Sequence, residues 1–189
     1  MDTVTIHYKD HLAIVQLNRP KANAINTRLA QDLTQAISSL ADADYVRGVI
    51  LTGQGNIFSA GLDIVELYGY DQDALDRLWE AFDNMVRTLV AFPKPLIAAI
   101  NGHSPAGGCV LAMCCDHRIM ADGEFRIGLN EVPVGIVVPR PVVELAAFTV
   151  GHRKAARMFM NGLLMTPAEA LAFGLIDEHC PQAEVLLWA

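Results

Sequence analysis

The sequence has no basic run: its 14 lysines and arginines are scattered among 21 aspartates and glutamates, for a formal net charge of -7. A nucleic-acid surface needs clustered cations, so that class of partner is excluded. An anionic substrate is not, because local cations such as Arg19 and Lys21 can receive phosphates within an acidic average. No apolar stretch is long and unbroken enough to span a bilayer. Met1-Asp2-Thr3-Val4-Thr5-Ile6 lacks the basic-then-apolar plan of a secretory signal, and Asp2 argues against a transit peptide. Cys109, Cys114, Cys115 and Cys180 form no CxxC pair and no zinc spacing, so free thiols and no metal site are expected. Together these point to a reducing, cytoplasmic setting. Neither GxxxxGK[ST], GxGxxG nor GxSxG occurs, which removes the common phosphate loops and the nucleophile elbow.

What is present suits a packed globule. Hydrophobic residues make up 52% and charged residues 19% of 189 positions, enough for a single domain over 1–189 with one substantial core. Thr3 to Leu17 alternates as two strands around Lys9-Asp10-His11. Asn26 or Thr27 caps a helix whose Leu29, Leu33, Ile37 and Leu40 recur at helical spacing. Gly48 to Gly53 and Pro95 to Asn101 read as buried strands, and His117 to Ala121 as a further one. Asp63 to Tyr70 reads as a helical turn or a mobile segment, and Ala74 to Phe92 as an amphipathic helix stopped by Pro93. Cys109 to Cys115 is apolar on every side, the pattern of a helix at the centre of a domain. Pro141–Val150, Arg153–Asn161 and Pro167–Phe173 read as helices. The alternation of strand and helix predicts an α/β fold with parallel pairing.

Three segments carry the chemistry. Ile127-Gly128-Leu129-Asn130-Glu131-Val132-Pro133-Val134-Gly135-Ile136-Val137-Val138-Pro139 holds one ionisable side chain, Glu131. Such a carboxylate is either a loop residue, exposed or paired with an arginine, or a base whose pKa is lifted towards neutrality by burial. Phe58-Ser59-Ala60-Gly61-Leu62-Asp63 follows the first buried strand, and Pro105-Ala106-Gly107-Gly108 follows the second and opens the apolar helix. These glycines either permit tight strand-to-helix turns or let two backbone N–H groups converge on one oxygen as an oxyanion hole. His103 reads as a packing or hydrogen-bonding residue.

The strings Phe58 to Ile64, Ile100 to Cys109 with Cys115-Asp116, and Ile127 to Glu131 resemble the crotonase (enoyl-CoA hydratase/isomerase) superfamily, nearest its mitochondrial-type Δ3,Δ2-enoyl-CoA isomerases. Leu17 to Ala22, Thr149 to Arg153 and Thr166 to Ala170 support the likeness, which covers residues 3–180. The resemblance implies a crotonase-like ββα spiral fold. It also implies that the backbone N–H groups of Leu62 and Gly107 bind a thioester oxygen. Ser59, Ala60, Gly61, Leu62 and Asp63 would line a coenzyme A site, chiefly through backbone. Lys21 and Ala22 would lie near its phosphates and pantetheine, Asn130 would flank the acyl chain, and Glu131 would be the acid-base residue. Coenzyme A would enter as part of the substrate thioester, with no separate cofactor. A homo-oligomer, trimer or dimer of trimers, is implied too.

Two departures refine the expectation. The family's hydratases carry a second glutamate after Gly-Gly-Cys, and here Val110 follows Gly107-Gly108-Cys109. One carboxylate suffices for an isomerase, which takes a proton from C2 and returns it to C4. The expected activity is therefore 3-enoyl-CoA to 2-trans-enoyl-CoA isomerisation, in the oxidation of unsaturated fatty acids. The alternatives are hydration or another crotonase-type reaction on acyl-CoA, and a non-catalytic acyl-CoA-binding or oligomerising remnant. The family's pattern also continues into helices beyond Ala189 that cover the acyl site, so that C-terminal helical region is expected to be largely missing. Pocket depth is expected from Glu66 to Trp79 and from those helices.

Overall fold

The computed structural model describes all residues from Met1 to Ala189. Strands β1 (Val4–Lys9) and β2 (Leu12–Leu17) form the expected antiparallel hairpin, with Val4 opposite Leu17 and Lys9 opposite Leu12. Strands β3 (Gly48–Gly53), β4 (Leu96–Ile100), β6 (His117–Ala121) and β9 (Glu178–Cys180) extend it in parallel, giving the order β1-β2-β3-β4-β6-β9. Side chains alternate across a strand, and the two faces feed different clusters. Val49, Leu51, Ala98 and Ile100 point into the main core, while Ile50, Ala99 and Ile119 face a smaller cluster with Cys180 and Val185.

Helix α1 (Thr27–Ala41) covers the hairpin side of the main core. Asn26 caps it by accepting from Leu29 N–H at 3.0 Å, and Leu29, Leu33, Ile37 and Leu40 are all buried. Asp63 caps the short α2 (Ile64–Leu67) and Asp71 caps α3 (Gln72–Val90), which begins two residues earlier than its apolar pattern suggested. That extra length comes from a polar cap and first turn, which hydrophobic spacing does not register. Helix α4 (Gly107–Met113) is buried at all seven positions, as an apolar helix must be.

The unforeseen element is a second sheet of two-residue strands: β5 (Ser104–Pro105), β7 (Ile127–Gly128) and β8 (Leu164–Met165). Strands β5 and β7 are parallel, with Ser104 beside Ile127 and Pro105 beside Gly128. Two residues carry no periodicity, so the sequence gives no sign of them. Gly128 holds a φ of 151°, and a Cβ there would strike Leu163 O at 1.9 Å, so only glycine fits at this crossing. Helices α5 (Arg140–Val150), α6 (His152–Asn161) and α7 (Pro167–Phe173) follow, the last started by a reciprocal capping box between Thr166 and Glu169. A short α8 (Val185–Trp188) closes the described chain.

Candidate active site

The small sheet sets the site. Because β5 leads into Gly107 and β7 leads into Glu131, their pairing delivers the start of α4 and the carboxylate to one place. Ala106 N–H donates to Gly128 O at 2.8 Å and fixes the junction. A cavity of about 120 Å³ lies there, walled by Ala60, Leu62, Gly107, Val110, Asn130 and Glu131 together with apolar side chains. Glu131 is the sole ionisable group on that wall.

Glu131 begins a 3-10 turn over Val132–Val134, and its carbonyl accepts from Val134 N–H at 3.1 Å and Ile136 N–H at 3.0 Å. Its side chain is buried, and Oε2 has no hydrogen-bond partner. Burial pushes its pKa above the ordinary glutamate value, and the adjacent amides of Glu131 and Asn130 oppose this only in part. No arginine or lysine stands against it, so the exposed-loop and paired readings both give way to the buried, unpaired one.

The two glycine loops touch. Ile25 and Leu62 form a parallel bridge in which Ile25 N–H donates to Gly61 O at 2.7 Å and Asp63 N–H to Ile25 O at 2.9 Å. This pattern turns Leu62 N–H to the side away from Ile25. A Cβ on Gly61, whose φ is 84°, would stand 3.0 Å from Gly107 N. Neither Leu62 N–H nor Gly107 N–H donates to a backbone carbonyl among the loop and cap bonds. Ala106 precedes Gly107 at φ 48° and ψ -121°, a conformation that normally belongs to glycine.

The other expected residues form the frame. Ser59 is fully buried, with Oγ donating to Asn23 O at 2.8 Å and accepting from Gly61 N–H at 3.3 Å. Asp63 caps α2 and pairs with Arg19 at 2.8 Å, so it lies off the cavity wall. Lys21, Ala22 and Asn23 all adopt positive φ (61°, 70° and 52°) in a left-handed turn. Asn23 offsets that strain with bonds to Ile57 O and Phe58 O, both at 3.1 Å. The turn meets the first loop where Ala60 N–H donates to Ala22 O at 3.0 Å, and Lys21 is exposed beside it.

Two sequence expectations change. Arg19 is no free phosphate ligand: it binds Asp63, Glu66 at 2.7 Å and Ala24 O at 3.0 Å, and it is largely buried. Glu66 does not line the acyl cavity, because its carboxylate serves Arg19, Asn26 and Tyr70. The wall instead includes Phe82, Val138 and Val142 beside Trp79. The apolar run after Glu131 was the available signal for Val138, and no local pattern marked Phe82 as lining rather than core. His103 is structural, as expected: its Nδ1 accepts from Arg126 N–H and its ring meets Phe125 edge-on. All four cysteines are free and buried, with burial lifting the Cys114 thiol to about 12.

Comparison with known proteins places the chain in a family. Residues 7–189 match the family described as enoyl-CoA hydratase/isomerase. Mouse mitochondrial enoyl-CoA delta isomerase 1 is 40% identical over 176 residues, covering 92% of this chain and 61% of the relative. The chain thus spans about three-fifths of the length of that isomerase. The 2,3-dehydroadipyl-CoA hydratase of Escherichia coli is 30% identical, over all of this chain and 73% of the relative. The crystal structure of human mitochondrial delta3-delta2-enoyl-CoA isomerase superposes with a TM-score of 0.96 at 35% identity, covering 99% of this chain and 74% of that one. The match confirms the expected crotonase fold, and the chain belongs to the enoyl-CoA hydratase/isomerase family.

Proposed function

We propose that this chain isomerises 3-enoyl-CoA to 2-trans-enoyl-CoA, with Glu131 as the proton shuttle. Ionised Glu131 takes a C2 proton, and the electron pair moves through the C1 carbonyl to give a thioester enolate. The N–H groups of Leu62 and Gly107 stabilise its oxygen, acting as the oxyanion hole. Protonated Glu131 then delivers the same proton to C4, and the double bond re-forms between C2 and C3. Asn130 flanks the acyl segment. Residues 59–63, with Lys21 and Ala22, hold coenzyme A, which arrives within the substrate. The chain acts as one domain within a homo-oligomer.

One observation carries this reading: Glu131 is alone in an otherwise apolar cavity, and Val110 lines that cavity too. Hydration needs a water held and deprotonated, and a valine can neither orient nor activate it. Similarity to a hydratase keeps hydration as the second reading. The test is turnover of 3-enoyl-CoA by wild type and Glu131→Gln, with 2-enoyl-CoA hydration measured alongside. The variant should lose roughly 10²–10⁴-fold in kcat, the range for a positioned acid-base group. Its affinity for acyl-CoA should stay near wild type. Normal turnover by Glu131→Gln would remove Glu131 from the mechanism, and rapid hydration by wild type would favour the second reading. Tight acyl-CoA binding without any turnover would point to a binding module.

A further inference from the structure

The turn at Glu131 brings two neighbouring side chains into one space. Along a strand, consecutive side chains point to opposite faces. Glu131 leaves that pattern at once, with φ -66° and ψ -41° at the head of its 3-10 turn, and Asn130 and Glu131 both line the cavity of about 120 Å³. The end of α6 backs this turn. A Cβ on Gly162 would stand 2.4 Å from Pro133 Cγ and 3.6 Å from Asn130 Cα.

Both side chains carry a buried acceptor without a donor. Asn130 Oδ1 and Glu131 Oε2 are closed off from solvent, and neither has a hydrogen-bond partner. An unpaired buried acceptor is costly, so two on one wall call for a donor. Apart from these two residues, only Trp79 brings a polar side-chain atom to the wall, and its N–H serves neither oxygen. The remaining donor is the proton that Glu131 itself carries when neutral. One proton on Oε2, directed at Oδ1, satisfies both atoms.

We infer that Asn130 is a positioning residue, whose amide oxygen accepts a hydrogen bond from protonated Glu131 while the proton is held between C2 and C4. This rests on the reading of Glu131 as the proton shuttle. After abstraction the proton lies on Oε2, hydrogen-bonded to Oδ1, and it then leaves for C4 with nothing gained or lost. The bond favours the neutral carboxyl, and so acts in the same direction as the burial that raises the Glu131 pKa. The other ionisable group facing Glu131 is Cys109 of α4, kept neutral by burial and by the Glu131 charge, while Arg118 of β6 acts on that thiol. No further ionisable side chain lines the cavity.

The test separates the proton from the substrate. Both kcat and KM for 3-enoyl-CoA are measured against pH for wild type, Asn130→Leu and Asn130→Asp. The Glu131 carboxyl is also titrated without substrate by carbon-13 NMR, its signal identified by its absence from Glu131→Gln. Asn130→Leu keeps the branching of the side chain and removes the acceptor. Its Glu131 midpoint should fall, and the acidic limb of its kcat profile should move to lower pH. Its kcat should drop about two- to tenfold, the worth of one neutral hydrogen bond, with KM near wild type. Asn130→Asp puts two carboxyls in contact, which should share one proton and hold it to higher pH than Glu131 does in wild type. That variant decides the matter if Asn130→Leu fails to fold. A midpoint that stays in place or rises in Asn130→Leu overturns the pairing, since an amide turned the other way would donate to ionised Glu131. So does a change confined to KM, which would leave Asn130 only flanking the acyl segment. Two independent carboxyl titrations in Asn130→Asp overturn it as well. A fallen midpoint in a protein without turnover supports the pairing and removes only the isomerase reading.

Discussion

The segment Ser59–Asp63 is held by polar side chains, whereas the segment Glu131–Pro139 is held through its backbone and presents mostly apolar side chains. Ser59 binds the Asn23 carbonyl, Asn23 binds Ile57 and Phe58, and Arg19 clamps Asp63 and Glu66. Across the cavity, Glu131 Oε2 has no partner at all, and Val137 is 86% exposed. The contrast fits the two different tasks proposed for these segments. Donors that must meet a developing charge need fixed positions, since their value lies in requiring no rearrangement. A base needs the reverse of a polar frame, because every hydrogen bond to its carboxylate would lower the pKa that burial raises.

The largest effect should come from separating the two N–H donors. Gly61→Ala places a Cβ 3.0 Å from both Gly107 N and Ala106 Cβ, at a φ that alanine rarely adopts. The loops must part, and a lost donor typically lowers kcat by about 10²–10³-fold. Turnover of 3-enoyl-CoA beside a circular dichroism melt would check it. Wild-type kcat in a folded variant would show that these N–H groups do not act on the substrate.

Next is the polar frame itself. Arg19→Ala leaves Asp63 and Glu66 facing each other without their cation. Asp63 and the Arg19 side chain are both more than four-fifths buried, so the loss should be about 3 kcal/mol, or roughly 6–12 °C in Tm. Burial alone would raise the Asp63 pKa, but Glu66 N–H and the Arg19 guanidinium outweigh it and hold the carboxyl below its ordinary value. A depressed carboxyl pKa contributes stability above the unfolded value, near 3.9, that is lost as pH falls through the folded one. Arg19→Ala should therefore differ most from wild type near neutrality and converge with it in acid. A difference in Tm that did not change with pH would place the role of Arg19 in packing alone.

The same contrast explains what the sequence could disclose. Glu131 was legible because its isolation is local: no other ionisable residue lies between Ile127 and Pro139. The polar frame was not, because Arg19 and Glu66 are 47 positions apart and either looks like an ordinary surface charge until the fold joins them. The hairpin, α1 and the buried strands declared themselves through period-two and helical spacing. The small sheet that joins Gly107 to Glu131 did not, since its strands are two residues long and its partners are distant. Family resemblance supplied the link between the two loops that spacing alone left open.

On the apolar side, Glu131→Gln should make the protein more stable near neutrality while removing turnover. With its pKa raised, wild-type Glu131 is neutral at low pH and must carry a buried charge as pH rises through the folded value. Glutamine carries no charge at any pH, so the stability that wild type loses as Glu131 ionises is not lost by the variant. The gain in Tm should vanish below the ordinary carboxyl pKa of about 4.3. A gain that persisted into acid would attribute it to packing rather than ionisation.

The smallest effect falls where the two regions join. Ala106 keeps a φ of 48° with a ψ of -121°, where a Cβ is strained by about 1–3 kcal/mol. Its N–H is tied to Gly128 O, so the fold imposes the conformation rather than the residue choosing it. Ala106→Gly would release that strain but return about 0.5–1 kcal/mol of freedom to the unfolded chain. The difference should be a net gain of about 1 kcal/mol, or roughly 2–4 °C in Tm. An unchanged or lower Tm would mean that the Ala106 methyl, which faces Gly61 across the loop contact, contributes as much packing as its backbone loses to strain.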